Sequence, residues 1–181
     1  MARTSTPAEP LNTATLSAYF EHGYAASSRR FIASALGLAV DTPLDDVLAA
    51  TDDPMRAAAR VSALEAPLHA LLARIVSQGG RVRAETLRKE LLLAGFGNRR
   101  EQIAKLLTTG LVLPLPGSGQ SEVDIEQVLD APATFLQHDL AALPGVLHAM
   151  ARDGDARTPG SPGDGDEEVG AWSGEIVRAR A

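Results

Sequence analysis

Apolar side chains recur every three or four positions along most of residues 14–110, a spacing that places them on one face of a helix. The first helical stretch, residues 14–36, contains Gly23, which is predicted to interrupt it. Two further helix starts are indicated at Thr42 and Asp53, because each side chain can cap a helix and each is followed by a proline. The N-terminal part of the chain is therefore predicted to be a set of short helices.

A longer helix is predicted next, extending to about residue 78. Ser62 and Glu65 have the spacing of a capping box, so we expect this helix to begin near them. Gly79 and Gly80 are predicted to end it, since glycine is favoured after the last helical turn. The short run 81–83 then reads as one strand of a small sheet.

Two more helices are predicted between residues 85 and 110. The first covers residues 85–93, and a tight turn containing Phe96 between two glycines follows it. Phe96 is expected to be buried in the core. Asn98 is predicted to cap the second helix, with Glu101 reaching back to it, and Gly110 to end it.

The remainder of the chain is predicted to form a β-hairpin, a closing helical segment and a tail. Residues 111–116 alternate between leucine and other residues, which is typical of a strand, and Val123 and Ile125 resume the alternation as a return strand. The run "FLQHDLAALPGVLHAM" is typical of a helix. Residues 153–168 carry six acidic side chains and one basic side chain among glycines and prolines, a composition that is typical of disorder.

The predicted fold is mainly α. It is divided into a disordered N-terminus (1–13), a helical subdomain (14–61), a winged helix-turn-helix-like unit with a small β-hairpin (62–129), a closing helical segment (130–151) and a disordered acidic tail (152–181). Winged helices present their third helix to the major groove of DNA, so this order of elements indicates nucleic-acid binding.

Composition narrows the functional classes. Cysteine is absent, and neither a secretory signal nor an apolar run of membrane-spanning length is present, so a cytoplasmic protein without a membrane partner is expected. The four histidines lack metal-ligand spacing, and no phosphate-binding loop motif occurs. The sequence therefore predicts neither an enzyme nor a bound cofactor or metal.

The charge distribution indicates where nucleic acid is expected to bind. The net charge is −6, yet residues 74–105 carry eight basic and three acidic side chains. Arg99 and Arg100, in the first turn of the third helix, are predicted to contact phosphates, and Gln102 and Lys105 to reach base edges. Flanking contacts are predicted for three further side chains, Arg81, Arg83 and Arg88.

Two segments carry a resemblance to a known family. "RVSALEAPLHALLARIVSQGGRVRAETLRKELLLAGF" and "IAKLLTTGLVLPLPG" resemble the winged-helix part of domains associated with bacterial helicases of the XPB type, over about residues 54–129. The resemblance implies a regulatory adaptor that acts with a separately encoded helicase or nuclease, because the chain contains no helicase motor motif. Duplex DNA is the nucleic acid expected to bind.

The alternative is a protein–protein scaffold whose winged helix docks a partner without binding nucleic acid. The predicted wing, "LPLPGSGQSEVD", contains no lysine or arginine and carries Glu122 and Asp124. Acidic side chains repel phosphate, so the composition of the wing favours a protein-docking function. The basic helices favour nucleic-acid binding instead.

Overall fold

A computed structural model describes residues 9–95, 97–117, 122–131 and 135–156, with side chains described as far as Arg152. The helices in this part of the chain are α1 (Thr13–His22), α2 (Ala26–Ala35), α3 (Leu44–Asp52), α4 (Pro54–Ser62), α5 (Ala66–Ser77), α6 (Ala84–Leu93), α7 (Arg99–Thr108), α8 (Ile125–Asp130) and α9 (Pro144–Ala156), with a 3-10 turn at Phe135–Gln137. The predicted mainly helical class is confirmed. None of the described helices is both long and apolar enough to cross a lipid bilayer.

Three short strands form one antiparallel sheet. They are β1 (Arg81–Arg83), β2 (Val112–Pro114) and β3 (Asp139–Ala142), and the order across the sheet is β1-β3-β2. Leu140 in β3 lies opposite Val82 on one side and Pro114 on the other. Since both outer strands are only three residues long, β3 supplies the pairing that makes them a sheet.

Helices α1 and α2 hold the segment that precedes α8. The break at Gly23 separates these helices, as predicted, and it exposes backbone groups for pairing. Val123 forms an isolated parallel bridge with Tyr24. Its amide donates to the Gly23 carbonyl at 2.8 Å, and its carbonyl accepts from the Ala25 amide at 2.9 Å. Val123 is therefore paired with the N-terminal helices.

Two buried side chains strengthen this attachment. The Ser28 hydroxyl donates to the Val123 carbonyl at 2.9 Å and accepts from the Ile125 amide at 2.9 Å. The Tyr24 hydroxyl donates to the Pro114 carbonyl at 2.8 Å, which joins the N-terminal helices to β2. Buried polar groups are costly unless they are hydrogen-bonded, so each of these bonds also satisfies a group that water cannot reach.

Helix α9 packs mainly against α4. Gly145 in α9 has no room for a side chain, because a β-carbon there would lie 2.8 Å from the carbonyl oxygen of Asp53, the residue that caps α4. The corner between α3 and α4 therefore rests directly on the first turn of α9. Buried apolar side chains from Leu11 to Ala149 join across these contacts into one core.

The predicted helix caps have mixed outcomes. Asp53 caps α4, since its Oδ1 accepts from the amides of Met55 at 2.9 Å and Arg56 at 3.2 Å. The predicted cap at Thr42 is wrong: Pro43 is the capping residue of α3 and no side chain bonds to the helix start. An extended Pro43 places Thr42 one residue too far from the first turn.

The two predicted capping boxes are also wrong in their side-chain bonds. Ser62 donates to the Ala59 carbonyl at 2.9 Å at the end of α4, and Glu65 precedes α5 without capping it. Asn98 precedes α7 in the left-handed conformation, with φ at 43°, and its side chain makes no capping bond. The helix boundaries that these residues mark are nevertheless close to those predicted.

The predicted hairpin is corrected by the structure. Residues 123–125 are not a return strand, because Asp124 caps α8 by accepting from the amides of Glu126 at 3.0 Å and Gln127 at 3.3 Å. The strand that pairs with β2 is β3, inside the segment predicted to be a closing helix, of which only α9 is α-helical. Phe96 and residues 157–181 of the acidic tail lie outside the described residues.

We predict that Gly145→Ala destabilises the fold. The new methyl group would meet backbone atoms of Asp53, and overpacking of this kind costs about 1–3 kcal/mol, partly offset by the gain in helix propensity of up to about 1 kcal/mol. A net loss of about 1–2 kcal/mol is expected in urea denaturation. Gly97→Ala is the control, since its β-carbon would meet nothing within 4 Å. Equal stability of the two variants would contradict the close packing.

We also predict that Tyr24→Phe changes how stability depends on pH. Burial, with a smaller contribution from Tyr19, raises the pKa of the Tyr24 phenol above its ordinary value. The unfolded chain therefore loses this proton first, at about pH 10. Above that pH, the free energy of unfolding falls by about 1.4 kcal/mol per pH unit, so the fold becomes less stable. Denaturation between pH 9.5 and 11.5 should show a shallower decline for Tyr24→Phe. Parallel declines would mean that Tyr24 is accessible to solvent.

Candidate nucleic-acid interface

Helix α7 is positioned by a tight turn and a buried stripe. The chain passes from α6 to α7 through Gly95, with φ at 78°, and Asn98, with φ at 43°. Glycine and asparagine tolerate this left-handed backbone better than other residues, which explains their presence here. Ile103, Leu106 and Leu107 are buried and fix α7 against the core. The opposite face of α7 is left towards solvent.

The outward face of α7 carries three of the predicted site residues. Arg100 is exposed, and its guanidinium makes no hydrogen bond or ion pair with any described residue. Lys105 is exposed and its Nζ lies 3.4 Å from Glu101 Oε1, an exposed pair of the kind that contributes little energy. Gln102 is half-buried, and its side chain makes no hydrogen bond within the described part of the chain.

Arg99 differs from its neighbour Arg100. It is half-buried and has an interaction partner within the protein. Of the two arginines predicted for phosphate contact, Arg100 is therefore the more exposed.

Arg88 is held by a neighbour on its own helix. Its Nε and one Nη donate to the two Glu85 carboxylate oxygens at 3.1 and 2.9 Å, and Lys89 Nζ lies 3.6 Å from the same carboxylate. Hydrogen bonding to Arg88 lowers the pKa of Glu85. Desolvation opposes this shift, and the charges of Arg88 and Lys89 lower the pKa further. The same bond raises the pKa of Arg88.

Arg81 and Arg83 lie on β1 with one residue between them, and both approach the carboxylate of Asp139. Arg81 donates to Asp139 Oδ2 through Nε at 3.2 Å and through Nη2 at 2.8 Å. Arg83 Nη1 lies 4.0 Å from Asp139 Oδ1, which is beyond hydrogen-bonding distance. These two arginines therefore form a group of their own, separate along the chain from the α7 residues.

The sequence reasoning missed the carboxylates that engage these basic residues. The spacing of Glu85 with Arg88 and Lys89 is a recognisable signal of pairing on a helix. Asp139 gave no such signal, because 58 positions separate it from Arg81. The pairing reduces the positive charge that this surface offers to a phosphate.

Among the described residues, no group of three or more histidine, aspartate or glutamate side chains is placed to hold a metal ion. Comparison of the chain with protein-family models, curated proteins and solved structures finds no match. The resemblance to helicase-associated domains therefore stays a prediction.

We predict that the Glu85 carboxylate titrates below the ordinary glutamate value of about 4.3 in an NMR pH titration. Arg88→Gln should move this pKa back up, because it removes the hydrogen bond that contributes most to the shift. Lys89→Gln, the control, should move it less, since its amine lies further from the carboxylate. If Arg88→Gln leaves the Glu85 pKa unchanged, Arg88 is not engaged by Glu85 in solution.

Proposed function

We propose that the protein is a nucleic-acid-binding adaptor that presents α7 from a winged-helix unit. The order α5, β1, α6, α7, β2, β3 supports the unit, together with the antiparallel pairing of all three strands. In such a unit the third helix is the one that enters the major groove, and here that helix is α7. The observation that carries the proposal is the exposed guanidinium of Arg100 in the first turn of α7, which bonds to none of the described residues.

The proposed unit departs from a simple winged helix in its connection between β2 and β3. Residues 115–138 contain α8 and a 3-10 turn rather than a short hairpin. Asp124, which would repel phosphate in an exposed wing, caps α8 and accepts from the Ser27 hydroxyl at 2.9 Å. The connection is therefore attached to the N-terminal helices, and the proposal assigns nucleic-acid contact to α7 rather than to a wing.

The charges on α7 favour contact with the phosphate backbone of DNA more than recognition of base edges. Arg100 lies near the positive end of the helix dipole, where phosphate is favoured. Lys105 shares the exposed face but has Glu101 beside it. We therefore propose weak duplex binding with strong salt dependence, and a separately encoded helicase or nuclease as the class of protein on which the adaptor acts.

A second candidate function, protein docking, is favoured by two exposed leucines. Leu92 and Leu93, at the end of α6, are 51% and 88% exposed. Large apolar side chains next to the turn that leads into α7 suit a protein partner better than a phosphate backbone. In this alternative the same end of the unit docks a protein.

We predict that duplex-DNA binding, measured over a salt series, depends on the exposed cations of α7. The double variant Arg100→Ala with Lys105→Ala should flatten the slope of log K against log salt by about 1.8, or about 0.9 for each lost phosphate contact. The control is Arg30→Ala with Arg152→Ala, which removes the same charge from exposed positions on α2 and α9. Only the α7 variant should change the slope.

Equal slopes in the two double variants would remove α7 from the nucleic-acid interface. Leu93→Asp distinguishes the candidate functions further. Direct duplex contact through α7 predicts a modest loss of DNA affinity from the added negative charge. If wild-type protein shows no duplex binding even at 50 mM salt, the nucleic-acid proposal fails and the docking candidate replaces it.

A further inference from the structure

A small polar cavity lies at one end of the three-stranded sheet, beside α1. Its volume is about 230 Å³. It is bounded by β1, by the start of β3, by residues 115–117 after β2, by the residue that ends the 3-10 turn and by α1. The polar side chains that line it are Tyr19, Arg81, Arg83, Gln137, His138 and Asp139.

The arginines of the cavity differ in how much of their hydrogen-bonding capacity is used. Arg81 is 28% exposed and is oriented by two bonds to a single oxygen of Asp139. Arg83 is 61% exposed, and its closest approach to Asp139 is the 4.0 Å contact. Since both arginines lie on the same side of β1, the Arg83 guanidinium remains available for another acceptor close to Arg81.

Three other polar side chains line the cavity, and two of them have donors that could reach an anion. The Tyr19 hydroxyl and the Gln137 amide make no hydrogen bond to any described residue. His138 is buried, and its Nδ1 lies 3.1 Å from the Leu115 carbonyl oxygen. Because a carbonyl can only accept, Nδ1 carries the proton.

The charge of the cavity matches its hydrogen-bonding groups. Two arginines and one aspartate leave a net positive charge, and the single carboxylate already accepts from Arg81. The cavity therefore combines a net positive charge with the exposed guanidinium of Arg83, and both features favour an anion. Its donors come from a strand, a 3-10 turn and a helix, so they approach from several directions.

We propose that this cavity binds a phosphate group. A phosphate offers several acceptor oxygens in a tetrahedral arrangement, whereas a carboxylate offers two in one plane. Guanidinium groups bind phosphate through paired donors, and Arg81 is fixed for this purpose by Asp139. The phosphate is inorganic, or it belongs to a nucleotide or a nucleic-acid end. The proposal extends beyond the function proposed for α7 and does not require α7 to bind DNA.

The test is an amide NMR titration of the full chain at constant ionic strength. The probes are inorganic phosphate, a nucleoside monophosphate and the matching nucleoside without phosphate. Both phosphate probes should shift the amide signals of β1 and of Gln137 saturably, and the nucleoside should not. A preference for the monophosphate would indicate the nucleotide as source, and equal affinities would indicate phosphate alone.

Arg83→Gln is the informative variant, because this exposed side chain can be changed without breaking the bond between Arg81 and Asp139. Charge-assisted hydrogen bonds imply a loss of phosphate affinity of at least about tenfold. Tyr19→Phe keeps the ring against Tyr24 and removes one donor, so a smaller loss is expected. Arg100→Gln, the control, should leave phosphate affinity unchanged.

Two results would overturn the proposal: the absence of saturable shifts with either phosphate probe, or Arg83→Gln binding phosphate as tightly as the wild type. The outcomes are separable from those of the α7 proposal. If duplex binding is absent but phosphate still binds, only the α7 proposal is contradicted. If phosphate does not bind but the salt dependence of duplex binding is as predicted, only the cavity proposal is contradicted. Tighter binding of a 5′-phosphorylated duplex than of its unphosphorylated form would identify a nucleic-acid end as the ligand.

Discussion

Strand β3 is the element on which the rest of the described structure depends, because each of the other two strands pairs with it. The Ala142 amide donates to the Gly80 carbonyl at 2.8 Å, and the Leu143 amide donates to the Leu111 carbonyl at 3.0 Å. These bonds reach the residue before β1 and the residue before β2. Without β3, both short strands would have unpaired backbone groups, and those of β2 would lie in a buried region, where such groups are costly.

The position of β3 also links the N-terminal helices to the later part of the chain. The chain leaves β3 directly into α9, whose Gly145 rests on Asp53 at the start of α4. Before β3, the connection from β2 is held by Val123 against Tyr24. The N-terminal helices therefore contribute to the same core as the sheet. Helix α7 packs against α5, α6, β2 and α8, which belong to this core.

The sequence predicted the local features of the fold better than its long-range pairing. Asp53, Gly23 and the paired glycines before β1 mark helix boundaries through interactions within a few residues, so the pattern was sufficient. β3 was missed because its residues after Asp139 are buried on both faces. A short run of buried leucine and alanine has no alternation, and those residues favour helix.

In the candidate site, too, the sequence predicted local features better than long-range contacts. The sequence located the basic residues, and it contained the signal that Glu85 engages Arg88. It could not show that Asp139 lies beside Arg81, because that contact depends on the register of β1 against β3. Charge counted along the chain therefore overstated the positive charge that the folded surface offers.

Amide hydrogen exchange tests the central role of β3 most directly. The amides of Ala84, Leu115 and Ala142 bond to or from β3 and its immediate neighbours. If β3 holds the sheet together, these three amides exchange only through global unfolding, and their exchange free energies equal the unfolding free energy from denaturation. Exchange of Ala142 several kcal/mol below that value, while the buried helices stay protected, would contradict the account.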